Sequence, residues 1–108
     1  MFARVTQFEI DTLRIGLDEA LERFKALVLP EVRKQPGYAG VFVLRTPEGK
    51  GVLLSLWTSE EAARAGVESG YYEEQISKFL MFTKQPPGRD HYEVVFAEEL
   101  RAAGAAAS

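Results

Sequence analysis

Between Gly51 and Ala62 the chain reads G-V-L-L-S-L-W-T-S-E-E-A, a run that specifies a strand passing directly into a helix. Side chains alternate along a strand, so Val52, Leu54 and Leu56 take one face while Leu53, Ser55 and Trp57 take the other. Both faces carry apolar residues and both have to be covered. Thr58 or Ser59 can accept the free N–H groups of a first helical turn, and Glu60 and Glu61 place negative charge at the positive end of the helix dipole. The strand is therefore expected to stop near Thr58. A strand buried on both sides calls for helices on one face and a second layer on the other.

The length of 108 residues leaves room for one core and for no separate cofactor domain. A hydrophobic share of 46% with 27% charged residues excludes disorder over most of the chain. The net charge of −3 has no basic block behind it, so neither a nucleic-acid footprint nor a polybasic membrane patch is expected. Without cysteine there is no disulfide framework, thiol nucleophile or thiolate metal site. No signal-peptide pattern and no apolar run near about 18 residues is present, which places the protein in the cytoplasm. Asparagine is absent too, a compositional trait of thermophilic proteins.

Taken in order, Phe2 to Ile10 alternates as a strand, with Ala3, Val5 and Gln7 against Phe2, Arg4, Thr6 and Phe8. Asp11 to Gly16 connects it to a helix in which Leu17, Leu21, Phe24, Leu27, Val28 and Val32 recur at helical spacing. Pro30 clashes with the preceding turn and lacks an N–H, so the helix should kink there or restart with Pro30 in its first turn. Gln35-Pro36-Gly37 ends it, with Gly37 expected at positive φ. Tyr38 to Arg45 forms a second strand, and Thr46 to Gly51 is turn chemistry that makes a hairpin with the Trp57 strand. With Arg45 opposite Val52, Val41 and Val43 would share the Leu54 face and Phe42 and Leu44 would lie beside Leu53 and Ser55; a slip of one residue reverses this. Ser59 to Ser69 is a second, Ala-rich helix that Gly70 breaks before a helical Tyr71 to Thr83, as one bent helix or two. Lys84 to Asp90 is expected as loop and His91 to Ala97 as the last strand. Residues 1–97 form the domain, and 98–108 form a tail too poor in apolar bulk to pack.

The order strand, helix, strand, strand, helix, strand is the α+β, ferredoxin-like split βαβ pattern: a four-stranded antiparallel sheet with the helices on one face. The other face would then carry some combination of Phe2, Phe8, Phe42, Leu44, Leu53 and Trp57, more apolar area than a monomer usually exposes. Pairing of two copies through that face, as a homodimer, is the economical solution.

The opening F-A-R-V-T-Q-F, the run V-L-P-E-V-R-K-Q-P-G-Y-A-G (Val28 to Gly40), the run E-G-K-G-V-L-L-S-L-W-T-S-E-E-A (Glu48 to Ala62) and the closing H-Y-E-V together resemble the antibiotic biosynthesis monooxygenase-like proteins of the dimeric α+β barrel superfamily. The resemblance extends from Phe2 to about Phe96. It implies ferredoxin-like folds paired face to face into a barrel, in a family that includes cofactor-independent oxygenases of polycyclic aromatic substrates, heme-degrading enzymes and members without an established activity. The heme-degrading branch carries an Asn, a Trp and a His ligand at positions that align with Thr6, Gly66 and Ile76, so heme degradation is not expected. The only histidine, His91, opens the last strand.

For the oxygenase branch the chemistry asks for an apolar pocket that takes a flat substrate, and a polar group that accepts a proton or stabilises an oxyanion; no cofactor and no metal is called for. Arg4 and His91 are the catalytic candidates, as an enolate partner and a base, against the commoner readings of a dimer-rim contact and a solvated strand end. Arg4, Thr6, Trp57, Phe79 and Phe82 are the ligand-binding candidates, although a lone Trp at the end of a central strand is most often core or interface. Tyr71, Tyr72, Phe79, Met81 and Phe82 form an aromatic group that can wall a pocket or fill the core. Glu60-Glu61 and Glu73-Glu74 are helix-start charge, because adjacent helical residues do not face each other. No phosphate loop, metal-spaced cluster or Ser-His-Asp set occurs.

Two functional classes follow. One is a small-molecule-binding dimeric barrel acting as a cofactor-independent monooxygenase of an aromatic or quinol-like metabolite. The other is a non-catalytic dimeric barrel that binds a hydrophobic ligand or serves a stress-related interaction. An enzyme needs two or more polar groups directed into one cavity, whereas a binder can leave its cavity apolar.

Overall fold

Four strands form the sheet in the structure, a computed structural model that describes residues 1–100. They are β1 (Phe2–Glu9), β2 (Tyr38–Arg45), β3 (Lys50–Trp57) and β4 (Gly88–Glu93), joined antiparallel in the order β2-β3-β1-β4. One face of this sheet is covered by α1 (Leu17–Leu27), α2 (Leu29–Val32), α3 (Glu60–Glu68) and α4 (Tyr71–Ser77). This is the ferredoxin-like α+β arrangement read from the sequence.

Local chemistry explains where the helices start and stop. Pro30 lies in the first turn of α2, where its missing N–H goes unneeded, so the first helical stretch restarts rather than bends. Ser59 caps α3, its Oγ accepting the Ala62 N–H at 3.1 Å, with Glu60 and Glu61 in the first turn. Gly70, at φ +84°, separates α3 from α4, giving two helices, and a 3-10 turn follows at Leu80–Phe82.

The strand register differs from the expected one by one residue. Arg45 lies opposite Gly51, not Val52. The turn is tighter because Thr46 closes on Lys50, accepting its N–H through Oγ1 at 3.2 Å and donating its own N–H to the Lys50 carbonyl at 2.8 Å. Since the side-chain period is two, the slip exchanges the faces. Val41 and Val43 join Ser55 and Leu53 beneath the helices, while Phe42 and Leu44 lie with Leu54 and Val52 on the open face. Phe2 pairs with Trp57 and Phe8 with Gly51, so Phe2, Phe8, Leu53 and Trp57, expected on the bare face, point to the helices. The open face instead carries Ala3, Val5, Val52, Leu54 and Leu56, with Phe42, Leu44 and Tyr92 41–53% exposed.

The last strand also departs from the sequence reading. It begins at Gly88, inside the expected loop, and ends at Glu93; Val95 and Phe96 lie beyond it and are exposed. Its register against β1, Gly88 to Gln7 and His91 to Arg4, fixes those ends better than local alternation does. β1 ends at Glu9, and Ile10 makes only an isolated bridge to Thr83. Of the expected tail, residues 101–108 lie outside the described residues.

Two core clusters sit at opposite ends of β1. Ile10, Ile15 and Ala20 gather Leu17 and Phe82 at one end, while Val32, Trp57 and Ala63 gather Phe2, Leu29, Tyr38 and Ala62 at the other. The space between them is incompletely filled.

Candidate functional site

That space is a cavity between the helices and the sheet, in two adjoining chambers. The larger, about 220 Å³, is walled by apolar side chains of β1, β2, β3, α1 and α4, among them Phe8, Leu21, Phe24, Val43, Leu53 and Phe79. The smaller, about 70 Å³, shares Thr6, Phe24, Leu53, Ile76 and Phe79 with it and adds Arg4, Ser55, Tyr71, Tyr72 and Gln75. Together they approach the lower end of the usual range for ligand pockets, about 300–1,000 Å³. The cavity is thus apolar along most of its length and polar at one end.

Arg4 anchors the polar end. It follows Ala3 in β1 on the face beneath the helices, and it is only 4% exposed. Its Nη2 donates to the carbonyl of Ala63 in α3, and its guanidinium lies over the Trp57 ring at 4.9 Å and the Tyr72 ring at 5.0 Å. Such stacking suits a weakly hydrated planar cation. Arg4 Nε is buried without a hydrogen-bond partner. Gly66 leaves room for this arrangement, since a Cβ there would sit 3.2 Å from Arg4 Nη2. Burial lowers the Arg4 pKa, but arginine begins so high that the group stays charged at neutral pH.

Thr6 Oγ1 and Tyr72 Oη share a hydrogen bond at 2.8 Å, tying β1 to α4. A second cation, Arg89, lies over the Tyr72 ring at 5.1 Å and is itself paired with Glu73. The neighbouring Tyr71 hydroxyl is buried without a partner, and burial, seconded by Glu31, pushes its pKa up to about 12. Tyr71 is therefore a hydrogen-bond donor and not a base at physiological pH.

The sequence candidates separate in space. Arg4, Thr6 and Phe79 meet on the cavity wall. Trp57, 1% exposed, lies behind Arg4 in the core, with its Nε1 donating to Ser55 Oγ at 3.0 Å and its ring edge-on to Tyr38. Phe82 packs on the Ile10 cluster, and Met81 is exposed. His91 is the cross-strand partner of Arg4, but it borders a shallow cleft with Arg64 and Arg89 rather than the cavity. Burial, and after it Arg4, lowers its pKa, so the imidazole is neutral at pH 7.

Gln75, Phe24, Leu53 and Ile76 line the cavity without having been singled out as site residues. A signal existed for part of this set: Tyr72, Ile76 and Phe79 stand at helical spacing and face inward together. Thr6 and Ile76 line the smaller chamber, and Gly66 lies against Arg4 and Tyr71. A wider concavity of about 620 Å³ by Thr46, Lys50 and Gln85 is open to solvent and has no comparable buried donors. Among the described residues no group of three or more His, Asp or Glu side chains is placed to hold a metal ion, and no helix is long and apolar enough to cross a membrane.

The family model described as antibiotic biosynthesis monooxygenase matches residues 1–78. No curated protein matches the chain. Among solved structures, the chain is similar to a monooxygenase from the gene ActVA-Orf6 of Streptomyces coelicolor, in complex with the ligand Nanaomycin D, at 20% identity and a TM-score of 0.68, over 93% of this chain and 92% of that one. SnoaB, a cofactor-independent oxygenase from Streptomyces nogalater, is similar at 15% identity and a TM-score of 0.68, over 89% and 94% of the two chains. A protein of unknown function from Nitrosomonas europaea is similar at 18% identity and a TM-score of 0.69, over 94% and 95%. At these identities the likeness is one of fold.

Proposed function

The chain belongs to the antibiotic biosynthesis monooxygenase family, and on that footing we propose that it is a cofactor-independent monooxygenase that takes an aromatic or quinol-like metabolite into the cavity between sheet and helices. The observation that carries this reading is convergence: Arg4, Tyr71 and the Thr6–Tyr72 pair all border one end of an otherwise apolar cavity. A passive hydrophobic binder has no need for that arrangement, which has to bury a charge.

In such a reaction the substrate supplies the electrons. A ring methylene conjugated with a carbonyl gives up a proton to form an enolate, and the enolate passes electrons to dioxygen. A C–O bond forms as a hydroperoxide, and loss of water leaves a carbonyl, so one oxygen atom enters the product and the other leaves in water. The protein's part is to hold the ring between Phe24, Leu53, Ile76 and Phe79, to exclude bulk water, and to stabilise the substrate oxyanion with Arg4 and Tyr71. His91 stands apart from the cavity, so the proton is released to solvent as the substrate docks in its enolate form against Arg4.

Incubation with anthrone, followed by oxygen electrode and by absorbance of the quinone, tests the reading. One oxygen molecule should be consumed per quinone formed, and Arg4→Met should lower the rate by roughly a hundredfold, as loss of one oxyanion donor does. Binding without oxygen uptake across a panel of anthrones and quinols would instead make the protein a non-catalytic binder. We further propose that two copies pair through the open sheet face, where Phe42, Leu44 and Tyr92 are exposed beside Leu54 and Leu56.

A further inference from the structure

Among the described residues the cavity is least covered on one side. Its two ends are plugged by the core clusters around Ile10 and Trp57, and on the β4 side Arg89 lies over the Tyr72 ring and pairs with Glu73. The chain after α4 is stitched to β1, with Thr83 bridging Ile10 and Lys84 paired with Glu9 at 3.0 Å. Along β2, the other edge of the sheet, the cover thins. Thr6, on the inner strand β1 beneath the helices, is 3% exposed. Val43 lies on the same face beside Leu53 and lines the larger chamber, yet it is 37% exposed. The opening therefore runs between β2 and α1.

A single bridge spans that opening. Arg45, the last residue of β2, donates from Nη2 to Asp18 Oδ1 in the first turn of α1 at 2.7 Å. Among the described residues this is the only hydrogen bond or ion pair between α1 and a strand. Both side chains are exposed, and an exposed pair is a weak one. On its other flank α1 is held to the α4 side, where Arg23 lies over the Phe82 ring at 5.0 Å and the Leu27 carbonyl accepts from Lys78 Nζ at 3.0 Å. The helix is also set off from its neighbours in the chain, by the extended Gly16 before it and by the restart at Pro30 after it. It is thus tethered along one flank and strapped at one point on the other.

We propose that α1 is a lid, and that the Arg45–Asp18 pair is the strap that holds it over the ligand's door at the β2 edge, with Val43 as the sill. Leu21 and Phe24 on the underside of α1 face an incompletely filled cavity rather than a packed core, so lifting the helix breaks few close contacts. The strap holds α1 down over an empty and over a filled cavity alike. It therefore sets how fast a ligand enters and leaves, and not how tightly it binds. Closed, the lid keeps bulk water from the ligand; a buried, stronger pair in its place would seal the door. The inference rests on the cavity being the ligand site and adds the route into it.

Stopped-flow mixing of the full chain with N-phenyl-1-naphthylamine, a neutral flat dye whose emission rises in apolar surroundings, tests the lid. Asp18→Asn should raise the rates of entry and release together by about two- to fivefold, the range that an exposed ion pair can hold, and leave the dissociation constant unchanged. Salt at about 1 M should bring the native chain to the variant's rates and hardly move the variant. The chain has no cysteine of its own, so Asp18→Cys with Arg45→Cys can be joined across the opening by a bis-maleimide that carries a cleavable disulfide. Entry and release should slow by about tenfold or more in the joined chain and recover when a reducing agent cuts the linker. Unchanged rates in Asp18→Asn, or a rise in release alone, overturn the strap, the second because it marks a lost contact to the dye. Joined chain that exchanges dye as fast as the cut chain overturns the lid. Either result leaves the cavity as a ligand site if Leu53→Trp, which fills the larger chamber, weakens dye binding. Dye that binds Leu53→Trp undiminished, or that does not bind the native chain, overturns the cavity reading and the lid with it.

Discussion

Gly37 sits where the chain leaves α2 for the sheet, at φ +82°, and its carbonyl accepts the Thr58 N–H at 2.8 Å. A Cβ at this position would lie 2.5 Å from Ala62 Cβ and 3.0 Å from Thr58 Oγ1, against the first turn of α3. Two separate penalties therefore fall on an alanine, a left-handed backbone and a clash with a helix that Ser59 holds in place. Gly37→Ala should destabilise by about 2 kcal/mol or more, lowering the melting temperature by roughly 8 °C or more in a domain of this size. An unchanged melting curve would show that the helix yields freely. Trp57 illustrates the other side of residue-scale logic: an aromatic that looks like a stacking platform in the sequence is the floor on which Arg4 rests.

Among the elements, β1 and β3 meet at a pair that shapes the cavity mouth. Phe8 lies opposite Gly51, and a Cβ on Gly51 would come within 2.1–2.6 Å of the Phe8 ring. The ring lies across the glycine and at the same time lines both the cavity and the open groove beside the hairpin turn. Gly51→Ala forces that ring to swing away, at a cost of about 1–3 kcal/mol as for other overpacked sites. Trp57 stands at the opposite end of β3, in the other core cluster, so its emission in the unliganded protein should not change. Chemical denaturation together with tryptophan fluorescence checks both halves, and a shifted emission would mean that the two clusters are coupled more tightly than the cavity between them suggests.

For the whole molecule the open face is where large apolar side chains meet solvent. Phe42, Leu44 and Tyr92 are 41%, 53% and 53% exposed on a sheet face that also presents Val5, Leu54 and Leu56. A sheet-to-sheet dimer that hides this face should bury on the order of 2,000 Å² in total. Light scattering at micromolar concentration should return twice the chain mass, and Phe42→Glu with Leu44→Glu should return the chain mass, because two charges cannot be buried there unpaired. A native monomer would remove the second layer from the proposal. The cavity lies on the helix side of the sheet, so the monomeric double variant should still bind an aromatic ligand if it folds.

What was legible in the sequence is what neighbours along the chain decide. The order of elements, the restart at Pro30, the Ser59 cap and the break at Gly70 each depend on residues within a few positions of one another. Arg4, Thr6 and Phe79 meet on one cavity wall, but alternation in β1 says only that Arg4 and Thr6 share a face with Phe2 and Phe8, not that the helices cover that face. The faces of the strands were not legible, since the hairpin register turns on one hydrogen-bonded closure between Thr46 and Lys50, and a one-residue slip exchanges Phe42 and Leu44 with Val41 and Val43. β4 begins at Gly88, in a stretch that reads locally as turn, because the exposed edge of β1 offers it partners. The polar end of the cavity needed the tertiary structure most of all: the Thr6–Tyr72 bond, the Arg4 stack on Trp57 and the unpaired Tyr71 hydroxyl join residues far apart in the chain, and no local pattern specifies which buried donor is left without a partner.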